Sequence, residues 1–155
     1  TPVIAGLDKH KLPRYDRDVD GGLLRRSKKD RGTTKFEFYA SLQSVEEGRR
    51  AQIACEHFGF FDEDDEAVAK MVAEARLRGV DVSLLLMDRE FFSARVIDGL
   101  KKARQAFLMP CRLTKGVKQA VMEFAQGKRE MVSEHAIRGS GDDHEVEASF
   151  TLVVF

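Results

Sequence analysis

The chain predicts an α/β fold built on one mixed sheet, antiparallel in its first part and parallel, with helical crossovers, after it. Three observations carry this. Short apolar or alternating segments come first, between Val3 and Phe58; helical periods then alternate with short apolar runs from Asp62 to Ala125; two alternating segments around a glycine-rich turn close the chain. With 155 residues, 43% of them hydrophobic, residues 1–155 are expected to form one domain with a sizeable core.

Val3-Ile4-Ala5-Gly6-Leu7 is a short apolar run, read as a buried strand with Asp8 at its end. Lys11 to Gly32 mixes Pro13, Gly21, Gly22 and Gly32 with many charges and shows neither period, which predicts an extended loop. Thr34 to Val45 alternates, with Phe36, Phe38 and Ala40 on one face and Lys35, Glu37, Tyr39 and Ser41 on the other. After a turn at Glu47-Gly48, Arg50 to Phe58 completes an antiparallel hairpin, with Ala51, Ile53 and Cys55 on one side and Gln52, Ala54 and Glu56 on the other.

The cluster Asp62-Glu63-Asp64-Asp65-Glu66 offers N-caps and first-turn carboxylates. Val68, Met71, Val72 and Ala75 then repeat at the helical period, and Arg76, Arg78 and Gly79 mark the stop. Val80 to Met87 reads as a central strand that delivers Asp88 at its tip. Ser93 caps the next helix, which runs to about Arg104, with Phe92 and Ile97 as a hydrophobic staple. Ala106 to Met109 is a short strand stopped by Pro110, and Gly116 to Ala125 is helical. Met131 to Ile137 and Val146 to Phe155 flank Gly139-Ser140-Gly141-Asp142-Asp143, which predicts a C-terminal β-hairpin.

No apolar run approaches a membrane span and the first residues lack the order of a signal peptide, so a cytoplasmic protein without membrane contact is expected. Cys55 and Cys111 have no paired spacing and read as buried, reduced thiols. His10, His57, His135 and His144 lack zinc or triad spacing, which favours structural or exposed roles, although His10 stands two residues beyond Asp8. The net charge is zero, but from Lys9 to Lys35 ten Lys or Arg face four Asp, so positive charge gathers near the N-terminus.

Asp8 and Asp88 each follow an apolar strand, and ligands of open α/β sheets gather at the carboxyl ends of strands. If the two strands are parallel neighbours, both carboxylates reach one edge, where a hard divalent ion would offset their mutual repulsion. An aspartate after a strand is also a common loop or cap residue. The basic run Arg25-Arg26-Ser27-Lys28-Lys29-Asp30-Arg31 either neutralises phosphates or simply faces water.

Two segments carry a family resemblance. VIAGLDKHKLPRY, Val3 to Tyr15, resembles the first catalytic segment of DDE-type insertion-sequence transposases, and LLLMDREFF, Leu84 to Phe92, is similar to their second, an apolar strand followed by D-R-x-F. Arg31 to Phe36 and Ser93 to Leu108 resemble the elements behind them, so the likeness covers most of the chain. It implies an RNase H-like catalytic domain in which Asp8 and Asp88 are catalytic metal-binding carboxylates for Mg²⁺ or Mn²⁺. Arg14, Arg25, Arg26, Lys28, Lys29, Arg31 and Arg89 would contact DNA. The family's third carboxylate, on a helix after an inserted β-region, would lie beyond Phe155, and none of Glu123, Glu130 and Glu134 is assigned to it. DNA is the implied partner, with a homodimer in a longer parent and nucleoid association. Two alternatives share these residues: another RNase H-like nuclease, and an inactive transposase remnant that only binds DNA. A doubly wound small-molecule domain is the fourth reading, and strand order discriminates it.

Overall fold

The computed structural model describes residues 2–15, 24–48, 50–59, 63–139 and 145–155. The expected turn at Ser140 to Asp143, His144, the glycines Gly21 and Gly22 and the cap candidate Asp62 lie outside these residues. The strands are β1 (Val3–Arg14), β2 (Arg25–Asp30), β3 (Thr33–Ser44), β4 (Gln52–Phe58), β5 (Val82–Met87), β6 (Phe107–Leu108), β7 (Val132–Arg138) and β8 (Glu147–Val153). The helices are α1 (Asp64–Leu77), α2 (Ala94–Lys102) and α3 (Lys115–Ala125). They form two compact units, one of Thr1–Met87 with Gln105–Leu108 and one of Asp88–Arg104 with Met109–Phe155.

The first unit is a mixed sheet. Its order is β2-β3-β1-β5-β6, with β4 also paired to β3; β1, β3 and β4 run antiparallel, and β1, β5 and β6 run parallel. This is the expected α/β architecture. Residues directly opposite share a face. One face therefore carries Ala5, Leu7, Ala40, Leu42, Ala54 and Phe58, all buried, and α1 packs through Ala67, Val68, Met71, Val72 and Ala75 against β3, β4 and β5. The other carries Gly6, Asp8, His10, Leu12 and Arg14 beside Gln43, Ser41, Tyr39, Glu37 and Lys35.

Helix α1 ends as its sequence predicts. Gly79 has φ +72, Gly79 N–H donates to Arg76 C=O and Val80 N–H to Ala75 C=O at 2.9 Å, so the last turn closes in a Schellman motif. Gly127, with φ +68, closes α3 in the same way through Lys128 N–H to Glu123 C=O. In the second unit, Ser93 Oγ accepts from Val96 N–H and Thr114 Oγ1 from Val117 N–H, capping α2 and α3. Helix α2 packs on β8, where Lys101 Nζ donates to Ser149 Oγ at 2.7 Å, and β7 pairs antiparallel with β8.

Three expectations need correction. Asp8 does not close its strand: β1 continues to Arg14, because its charged half is held by an unbroken antiparallel ladder with β3 and not by burial. Lys11 to Gly32 is not all loop, since β2 pairs with β3 through a two-residue turn, Arg31-Gly32, at φ 49 and 84. Cys55 is exposed and Cys111 half-buried. The cause at Cys55 is a register shift between Leu42 and Gln43, opposite Ala54 and Gln52. It leaves Ile53 as an extra residue, so Ile53 and Ala54 are both buried and the alternation inverts beyond them.

Candidate functional site

Asp8 sits where the parallel ladder ends. Leu7 stands opposite Met87, the last residue of β5, so Asp8 is the first residue of β1 flanked by β3 alone among the described residues. Beyond that point one edge of β1 has no partner strand among the described residues, the circumstance in which a strand tolerates Pro13, which has no N–H to donate. The Asp8 side chain is 60% exposed, and His10 Nε2 lies 3.8 Å from its Oδ2 and 2.8 Å from Ser41 Oγ. Two acceptor oxygens in water beside an imidazole make a donor set suited to a hydrated cation.

Asp88 opens the second unit. Exposed, it caps the short 3₁₀ turn Arg89–Phe91, its Oδ1 accepting from Arg89 N–H at 2.6 Å while Phe91 beneath is fully buried. Arg112 crosses back to hold this turn, donating from Nη2 to Glu90 C=O at 2.9 Å and from Nε to Arg89 C=O at 3.3 Å. The Asp88 carboxylate is thus fixed at one oxygen, with its second oxygen not engaged by that bond. Arg89 is exposed.

The basic residues fall on a ribbon. Arg26, Lys28, Lys29 and Arg31 are exposed along β2 and its turn, and Arg25 stands opposite Phe36 in the ladder. Tyr15 Oη donates to Arg31 C=O at 2.7 Å, and Thr33 Oγ1 donates to Arg14 C=O at 2.7 Å, which fixes the base of the ribbon. Lys11 pairs with Asp30 at 2.9 Å and holds that carboxyl below its usual range, the hydrogen bond leading. Arg14 is tied to Glu37 at 2.7 Å.

Sequence reasoning missed the network behind Arg14. Glu37 is buried; its Oε1 accepts from Arg14 Nε at 2.8 Å and its Oε2 from Tyr39 Oη at 3.0 Å, a bond that raises the tyrosine pKa. Tyr39 meets the edge of His57 at 5.1 Å, and His57 Nε2 is buried without a hydrogen-bond partner among the described residues. The alternation of β3 was a signal for a polar face, but not for its burial.

Among the described residues no group of three or more His, Cys, Asp or Glu is placed to hold a metal ion, and no helix is long and apolar enough to cross a membrane. Compared with known proteins, the chain matches no family model, no curated protein and no solved structure.

Proposed function

We propose that this chain carries the catalytic core of a DDE-type transposase, with an RNase H-like fold, in which Asp8 and Asp88 serve as ligands for Mg²⁺ or Mn²⁺ during cleavage and joining of DNA. One observation supports it above the others. In the first unit β1 and β5 are parallel neighbours with Leu7 opposite Met87, and the residue that follows each of these two in the chain is an exposed aspartate. A doubly wound small-molecule domain is disfavoured by the antiparallel β1, β3 and β4.

The donors suit a hard cation: carboxylate oxygens with water access, one of them braced by its own cap bond. A bound pair of ions would activate water or a 3′-hydroxyl and stabilise the departing oxygen. The chain's own residues would orient that chemistry: His10 stands beside Asp8, Arg112 steadies the turn that begins at Asp88, and the basic ribbon attracts phosphate.

Titration with Mn²⁺ in the presence of duplex DNA tests this reading. Asp8→Asn and Asp88→Asn should each weaken metal binding at least about tenfold, about 1.4 kcal/mol, while DNA affinity in EDTA is retained. Unchanged Mn²⁺ affinity in Asp88→Asn would reject Asp88 as a ligand and the proposal with it.

A further inference from the structure

We infer that the turn Arg31-Gly32 reads guanine in duplex DNA, with Arg31 as the reading side chain and Tyr15 as its positioning residue; this rests on the function proposed above and adds base recognition to it. The starting point is the backbone. Both turn residues have positive φ, 49 at Arg31 and 84 at Gly32, the conformation that a two-residue hairpin turn needs at both centres and that Asn-Gly or Asp-Gly ordinarily supplies. In that region the Cβ of an L-residue crowds a backbone carbonyl, so an arginine is held there against its local preference.

Such a conformation persists only where the surroundings over-determine it, and three side chains do so here. Tyr15 Oη donates to Arg31 C=O at 2.7 Å. The Asp30 carboxyl, gripped by Lys11 at 2.9 Å, is held below its usual range first by that lysine and further by the Arg31 charge and N–H. Thr33 Oγ1 donates to Arg14 C=O at 2.7 Å and accepts from Lys35 N–H at 3.0 Å, which ties the root of the turn to β1. Arg104, the other non-glycine with positive φ among the described residues, differs. It follows α2, where a left-handed residue is an ordinary helix stop, and its N–H donates to the backbone C=O of Lys101.

Fixing the backbone is of use where the direction of the side chain matters. A phosphate accepts a point charge from many directions, and exposed Lys28 and Lys29 on β2 offer two. The strained position carries an arginine instead, whose planar fork makes two parallel bonds, and O6 with N7 of guanine is the base edge that accepts them. The shape agrees. Arg31 is exposed, a Cβ on Gly32 would meet nothing within 4 Å, and past Arg14 the ladder among the described residues is β2 and β3 alone. A two-stranded end of this kind is admitted by the major groove, about 12 Å wide, where guanine presents that edge.

The experiment compares affinity, by fluorescence anisotropy in EDTA, for a G·C-rich duplex and for the same duplex with 7-deazaguanine at every guanine, which keeps pairing and O6 but lacks the N7 acceptor. Wild type should bind the natural duplex about tenfold more tightly. Arg31→Asn, whose side chain suits positive φ, should bind the two duplexes equally with a thermal midpoint no lower than that of wild type. Tyr15→Phe, which keeps the ring and every charge, should lose discrimination while the dependence of affinity on salt stays unchanged. Equal wild-type affinity for the two duplexes overturns base reading, and a salt dependence that is weakened in Arg31→Asn would then make Arg31 a phosphate contact. Discrimination retained in Arg31→Asn, or retained in full in Tyr15→Phe, overturns the roles given to those residues. Binding to vesicles containing phosphatidylserine with none to either duplex overturns the inference as well. Because EDTA removes metal from the assay, failure here is distinct from failure of Asp8 and Asp88 as ligands.

Discussion

His135 lies half-buried on β7 against the ring of Phe150, 5.5 Å between centroids, with Nε2 3.4 Å from where a Cβ on Gly116 would stand. Burial, then the Arg129 charge, lowers its pKa below the ordinary 6.5. The unfolded chain therefore binds this proton more readily than the folded one, and stability falls as pH drops from about 6.5 toward the folded value. Thermal midpoints measured across that window should decline in the wild type more than in His135→Gln; superimposable curves would show that the ring titrates alike in both states. At this scale the sequence made the positions of Asp8 and Asp88 legible, one residue beyond the Leu7 and Met87 pair of the parallel ladder, since each follows an apolar run. Glu37 was not legible, because its burial depends on Arg14, a cross-strand neighbour distant in sequence.

Helix ends show how local chemistry decides an element. Helices α1 and α3 stop on Gly79 and Gly127, both at positive φ, but α2 stops on Arg104 at φ 52. A side chain in the left-handed region costs about 1 kcal/mol, so the two kinds of stop predict opposite effects. Gly79→Ala should destabilise by about 1 kcal/mol, whereas Arg104→Gly should stabilise by a few tenths to about 1 kcal/mol, both read by urea unfolding. Equal shifts of the same sign would place the strain elsewhere. The helices and apolar strands were readable because their periods reflect burial. The second half of β1 and all of β2 were not, since pairing and a tight Arg31-Gly32 turn hold them with little apolar pattern. The extra residue at Ile53 likewise follows from pairing with β3, and periodicity misassigned Cys55 because of it.

On the scale of the whole chain, the first unit is not one continuous segment. Its edge strand β6 comes from Gln105–Leu108, after an excursion through Asp88–Arg104, and it covers β5 through Leu85 N–H to Ala106 C=O at 2.9 Å and Gln105 Nε2 to Val82 C=O. A fragment of residues 1–87 would leave the β5 edge open, a template for pairing between copies. It should elute from size exclusion as oligomers, while a monomeric, cooperatively melting fragment would show that β5 needs no cover. The fold class and strand directions were legible because alternation and helical period switch in a fixed order along the chain. The discontinuity was not, because a two-residue strand leaves almost no periodic trace.

That late strand also gives the protein a timetable. During synthesis β5 is complete at Met87, but its partner arrives only after the 17 residues of Asp88–Arg104 have been added, roughly one to three seconds at about 5–20 residues per second. Throughout that interval the nascent sheet carries an open edge. A ribosome stalled between Asp88 and Arg104 would prolong the exposure, and neighbouring nascent chains on the same message would be the nearest strands able to fill it.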